Sequence, residues 1–260
     1  MWHRYVAIGD SFSEGLVDPD PLRENAFRGW ADYLAESLDE RAGGDFAYAN
    51  LAIRGRLLDD VVGPQLVEAL AMGPDLVSVV GGGNDLLRPS VDLGRLAGRL
   101  RKAVVRIRAT GADVLLATPT DTASAGIFKA LRGRHAIHAA NLWTIAQDTG
   151  AHVVNLWGLT ALQDWRMWGE DRIHLTTEGH RRVSRAALLA LGVPDEDESW
   201  REPLPPAAAL GRREQIEQQR AWAREHAGPW VQRRLRGESS GDTLRPKRPE
   251  LHPVSRPAGS

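Results

Sequence analysis

Short runs of apolar residues alternate with longer segments in which apolar residues recur every three or four positions. The runs are Tyr5–Gly9, Phe46–Ala52, Asp75–Gly81, Asp113–Thr118 and His152–Trp157, and most are near-continuous stretches of Val, Ile, Leu and Ala. A strand covered on one face alternates apolar with polar, whereas a strand covered on both faces does not. These runs therefore predict strands buried from both sides. Between them, Gly29–Asp39, Leu57–Ala71, Leu93–Thr110 and Phe128–Thr149 read as helices. Thr176–Leu191 closes the pattern as a helix, with Thr176 at its N-cap and Glu178 in its first turn. Alternation of this kind predicts a parallel five-stranded sheet with helices on both faces, a three-layer α/β/α arrangement in the doubly wound order 2-1-3-4-5.

The pattern stops near Gly192. An acidic run, Asp195–Glu198, is followed by Pro203, Pro205 and Pro206. Residues 1–192 are therefore expected to form the domain and 193–206 a linker. Helix-compatible composition over Ala207–Glu225 predicts a helical appendage spanning 207–236, with Trp222 and Trp230 anchoring it to the body or serving as a lid. From 237 to 260 Gly, Ser, Pro and Arg dominate, which predicts a disordered tail. Residues 211–260 carry a net charge of +5 and the remaining 210 residues −6. The basic tail suits its own acidic body or an anionic partner, and a solvated tail is the simpler reading.

Composition excludes several classes of function. A formal net charge of −1 provides no global field for nucleic acid. With no cysteine there is no disulfide, no thiol nucleophile and no thiolate metal site. No apolar run approaches the roughly 18 residues of a membrane span. The first strand begins near Arg4, which leaves no room for a leader ahead of it and makes the cytoplasm the default location. No internal repeat is present, and a monomer is the default state. His135 and His138 form a His-x-x-His pair without a convincing third ligand, so no metal is expected.

In an open parallel sheet, ligands bind beyond the carboxyl ends of the strands. Gly9-Asp10-Ser11 follows the first strand, Asn50–Gly55 the second and Gly81–Asp85 the third; Asp171–His174 follows the fifth strand and a loop. Each residue type has a job in acyl transfer. A serine hydroxyl is a weak nucleophile without a neighbouring base, for which His174 is the candidate. An imidazole needs an acceptor to fix its tautomer, and Asp171 lies three residues earlier. The oxyanion needs preorganised donors, and the Ser11 N–H, the Gly55 N–H and the Asn84 amide offer three. Asp10 reads as a turn stabiliser, Asp85 as a structural acceptor and Ser13 as a helix cap. Gly81–Gly83 lacks the Gly-Lys-Ser/Thr sequence of a phosphate loop.

These four ordered blocks, Gly9-Asp10-Ser11, Gly55, Gly82-x-Asn84-Asp85 and Asp171-x-x-His174, resemble those of the SGNH/GDSL hydrolase family over residues 4 to about 191. The resemblance implies a flavodoxin-like fold and a metal-independent serine esterase that needs no cofactor. It implies Ser11 as nucleophile, His174 as base, Asp171 as its partner, and Ser11, Gly55 and Asn84 as the oxyanion hole. Phe12 stands where the family's motif has leucine, an apolar exchange that leaves the chemistry intact. Trp165 and Trp168, with Phe12 and Phe128, are candidates for the substrate pocket; loop packing is the competing reading for the tryptophans. Selectivity is expected from Thr120–Arg134 and Trp165–Trp168. The implied substrate is a small-molecule carboxylic ester. A sugar O-deacetylase, an acyl-thioesterase or a non-catalytic binding protein on the same fold are the alternatives.

Overall fold

The computed structural model describes residues 1–24, 26–193, 197–206, 211, 222 and 240–254. Strand β1 (Arg4–Gly9) runs into a four-residue helix, α1 (Ser11–Glu14), and a loop leads to α2 (Trp30–Arg41). Strand β2 (Ala47–Asn50) is followed by α3 (Leu58–Asp60), a π-helical turn (Val61–Gln65) and α4 (Leu66–Ala71). Pro64 lies inside that turn; a proline has no N–H for the regular helical ladder, so the helix widens around it. Then come β3 (Leu76–Val80), α5 (Gly83–Leu86), α6 (Leu93–Arg108), β4 (Asp113–Ala117), α7 (Arg132–Thr149), β5 (His152–Val154) and α8 (Thr177–Ala190). Thr176 caps α8 with its side chain, accepting from the Gly179 N–H.

The sheet order is β5-β4-β3-β1-β2-β6, so the parallel order 2-1-3-4-5 is extended by a sixth strand, β6 (Arg248–Pro253). β6 pairs antiparallel with β2. Apolar side chains fill both faces of the sheet. Tyr5, Ala7, Trp30, Leu34 and Val183 belong to one buried cluster; Val6, Ile8, Val77, Leu100 and Ile107 belong to the other. Neighbouring residues of β1 thus enter opposite layers, which is why the run carries no polar alternation.

Two expectations for the C-terminal region are corrected. The stretch expected to be a disordered tail includes an ordered strand and Lys247, whose side chain is only 9 % exposed. β6 is an edge strand whose side chains are largely exposed, and Pro249 and Pro253 are compatible with an edge. Its hold is a backbone ladder and ion pairs, which leave no apolar periodicity to read. The expected linker also packs on the core. Trp200 is buried there, and Arg182 donates to the Trp200 and Glu202 carbonyls. The expected helical appendage at 207–236 lies outside the described residues apart from Gly211 and Trp222.

Candidate active site

The site is assembled at the carboxyl edge of the sheet around α1. Asp10 caps this helix, its carboxylate accepting from the Phe12 N–H at 3.1 Å. Ser13, expected as the cap, lies inside α1 and is fully buried. Gly9 enters the turn under tight contact: a Cβ there would lie 2.5 Å from the Val80 carbonyl oxygen. Gly15 ends the helix at φ +86°, where a Cβ would meet the Arg28 carbonyl oxygen at 1.6 Å. Both positions therefore require glycine.

Three side chains fix the turn to its surroundings. Gln65 accepts from the Gly9 N–H at 2.8 Å and donates to the Gly9 carbonyl at 3.0 Å. Asn50 donates to the Ser13 carbonyl at 2.8 Å and accepts from the Ala52 N–H at 3.0 Å. Glu14 accepts from the Arg54 backbone N–H at 2.7 Å and pairs with the Arg54 guanidinium. The loop carrying Gly55 is thereby tied to the helix carrying Ser11.

Ser11 Oγ lies 3.0 Å from His174 Nε2, and His174 Nδ1 lies 2.6 Å from Asp171 Oδ2. The other oxygen of Asp171 accepts from the Ile173 and His174 backbone N–H groups at 2.9 and 3.0 Å. Burial acts to raise the Asp171 carboxyl, but the His174 bonds and charge and the Ile173 N–H outweigh it, so its pKa lies below the ordinary carboxylate value. An ionised carboxylate only accepts. Nδ1 of a neutral His174 therefore carries the hydrogen, and Nε2 is left to accept from the Ser11 hydroxyl.

Asn84 lies in α5, after β3. Its amide donates to the Arg56 carbonyl at 2.9 Å and to Asp10 Oδ2 at 3.2 Å. Asp85, raised by burial, accepts from the Leu58 N–H at 2.9 Å. A cavity of about 570 Å³ opens over the serine, lined by Ser11, Gly55, Asn84 and His174 among others. Phe12, Phe128, Trp165 and Trp168 all line it. Phe12 also packs against Trp30, and the Trp168 indole donates to the Leu162 carbonyl at 2.7 Å. The aromatic residues thus both pack and face the cavity.

The GDSL-like lipase/acylhydrolase family model matches residues 7–182. The chain belongs to that family. This GDSL acylhydrolase is accordingly a hydrolase of ester bonds. No curated protein is similar enough to match it. Among solved structures it resembles LAE5, an alpha/beta hydrolase enzyme from the metagenome of Lake Arreo, Spain. The TM-score is 0.63 at 23 % identity, covering 74 % of this chain and 95 % of LAE5. It also resembles Axe2, an acetylxylan esterase from Geobacillus stearothermophilus. That TM-score is 0.61 at 21 % identity, covering 73 % of this chain and 94 % of the other. TesA gives a TM-score of 0.60 at 24 % identity, covering 73 % and 98 % of the two chains. Each similarity is one of fold.

Several contributions to the cavity escaped the sequence reading. His135 and Arg172 line it, as does Ser240 from the segment preceding β6. Trp222, which the sequence marked as an anchor to the body or a lid, packs edge-on to Phe128 with ring centroids 6.2 Å apart, and its indole donates to the Asp171 carbonyl at 3.1 Å. An isolated Arg or Ser carries no motif, so nothing local in the chain points to Arg172 or Ser240. His138 and His180 are both buried. Among the described residues no cluster of three His, Cys, Asp or Glu side chains is arranged to hold a metal ion. No helix among them is long and apolar enough to cross a membrane.

Proposed function

We propose that this acylhydrolase is a serine esterase that cleaves small carboxylic esters through an acyl-enzyme intermediate. Ser11 Oγ attacks the ester carbonyl while His174 Nε2 takes the hydroxyl proton. The carbonyl π electrons move onto oxygen, and the resulting anion is met by the backbone N–H groups of Ser11 and Gly55 and by Asn84. For Asn84 to serve, one N–H must turn from its present acceptor; the longer bond, to Asp10, is the one that yields. Collapse of the intermediate breaks the C–O bond, and His174 returns its proton to the departing alcohol. Water, activated by His174, then adds to the acyl carbonyl and releases the acid and Ser11. Asp171 holds the imidazole in the required tautomer and stabilises its cationic form throughout.

The observation that carries this reading is the pair of hydrogen bonds joining Ser11, His174 and Asp171, with lengths of 3.0 and 2.6 Å. A second support comes from Axe2, whose solved structures include catalytic mutants at a serine, at an aspartate and at a histidine three residues beyond it. Asp171 and His174 have that spacing. The test is a fluorophosphonate probe together with 4-nitrophenyl acetate. The probe is expected to label Ser11, and Ser11→Ala to abolish both labelling and turnover. Hydrolysis that continues unchanged in Ser11→Ala overturns the assignment.

A further inference from the structure

Arg172 sits between the paired Asp171 and His174 in sequence and lines the same cavity. Its guanidinium carbon lies 5.1 Å from the centroid of the Trp165 ring and 5.2 Å from that of Trp222. Stacking engages the faces of a guanidinium and leaves its N–H donors in the plane. Among the described residues none of those side-chain donors meets a protein acceptor, and no carboxylate pairs with them. Elsewhere in the lining, Arg54 pairs with Glu14, Asp121 with Arg132, and Asp171 with His174. Arg172 also occupies φ +54°, a backbone region that non-glycine residues enter at a cost. A half-buried, strained arginine held by two indoles and lacking an acceptor is arranged to receive one.

We propose that Arg172, clamped by Trp165 and Trp222, is an anion subsite at the cavity wall, so that the physiological ester carries an oxyanion such as a carboxylate or phosphate away from its scissile bond. Trp222 lies beyond residues 7–182 matched by the family, so half of the clamp comes from this chain's C-terminal extension. The inference rests on the serine-esterase reading of the neighbouring triad. It extends that reading by naming a substrate class. A guanidinium presents a fork that suits a planar or tetrahedral oxyanion, and such charge-assisted bonds change binding about 10- to 100-fold.

Two matched ester pairs test this and locate the charge. Ionised 4-acetoxybenzoic acid against its methyl ester carries a carboxylate on the leaving side. The mono-4-nitrophenyl ester of glutaric acid against 4-nitrophenyl pentanoate carries one on the acyl side. The readout is the ratio of kcat/KM for the charged member to that for the neutral member. In at least one pair this ratio is expected to be about 10- to 100-fold higher in the wild type than in Arg172→Gln. Arg172→Gly, which accepts the positive φ without strain, is expected to give the same fall and guards against a folding defect. A ratio unchanged in both variants, with turnover still dependent on Ser11, overturns the anion subsite alone. Turnover that survives Ser11→Ala overturns the catalytic reading and the subsite with it.

Discussion

His174 Nε2 stands 3.0 Å from Ser11 Oγ, although 163 residues of chain separate them. The closeness is a product of the sheet. β1 delivers Ser11 at its carboxyl end, and the loop ahead of α8 delivers His174 to the same edge. Gln65, Asn50 and Glu14 then fix the serine turn, while Asp171 fixes the imidazole.

The Asp171 carboxylate sets the tautomer of His174. Asp171→Asn is expected to lower kcat by about 10³–10⁴ while the fold persists. Steady-state hydrolysis of a neutral aryl ester, with circular dichroism as the control for folding, measures this. A loss below tenfold would mean that the imidazole is oriented by other groups.

Asn84 bridges Arg56 and Asp10 in the structure and is assigned to the oxyanion. Asn84→Ala is expected to reduce kcat by about 10²–10³, the usual effect of losing one such donor. A variant whose melting temperature falls while its kcat holds would make the amide a bridge only.

Two histidines set a limit on stability in acid. His138 is pushed down to about 4 by burial and then by the neighbouring His135 charge. His180 is pushed down to about 3 by burial first and by the charges of Lys247 and His174 after it. The Nδ1 of His180 accepts from the Trp30 N–H at 3.2 Å, which also requires the neutral ring on that side. Below pH 6.5 the unfolded chain binds protons at these rings while the folded chain does not, so stability is lost as pH falls from about 6.5 toward 4. The pair contributes a loss on the order of 3 kcal/mol between pH 7 and 5. Asp18 and Asp85, both raised by burial, act in the opposite sense. Urea midpoints measured across that range check the sign; a flat profile would mean that the two rings are solvated.

Lys247 anchors the C-terminal strand. Its ammonium lies 2.5 Å from Asp32 Oδ2 and donates to the Glu14 and Phe27 carbonyls at 2.6 and 3.0 Å. Among the described residues, Lys247→Met leaves the buried Asp32 carboxylate with Arg248, at 3.9 Å, as its remaining ion-pair partner, and removes the Lys247 donor from two carbonyls. The expected cost is about 3 kcal/mol. Chemical denaturation measures it, and a change below about 0.5 kcal/mol, the spread of ordinary surface substitutions, would show that the ion pair does not hold the segment.

The strand runs were legible because residues buried on both faces leave an unbroken apolar signature, as in Tyr5–Gly9. The blocks around Ser11, Asn84 and His174 were legible because turns at strand ends demand particular residue types at short spacing. β6 was not, since an exposed edge strand held by backbone bonds and Lys247 leaves a composition like that of a disordered tail. Gln65 was hidden for a related reason: a glutamine within a helix shows no preference for the backbone groups it will clamp.

The sequence by itself determined the layered α/β architecture and the set of residues proposed here for acyl transfer, because burial and turn geometry act on neighbours in the chain. Only the tertiary structure decided that Trp222 and Arg172 meet beside Asp171, that Ser240 reaches the cavity and that Lys247 is buried against Asp32. Those relationships depend on where distant segments cross, and a single charged or aromatic side chain leaves no local trace of the partner it will find.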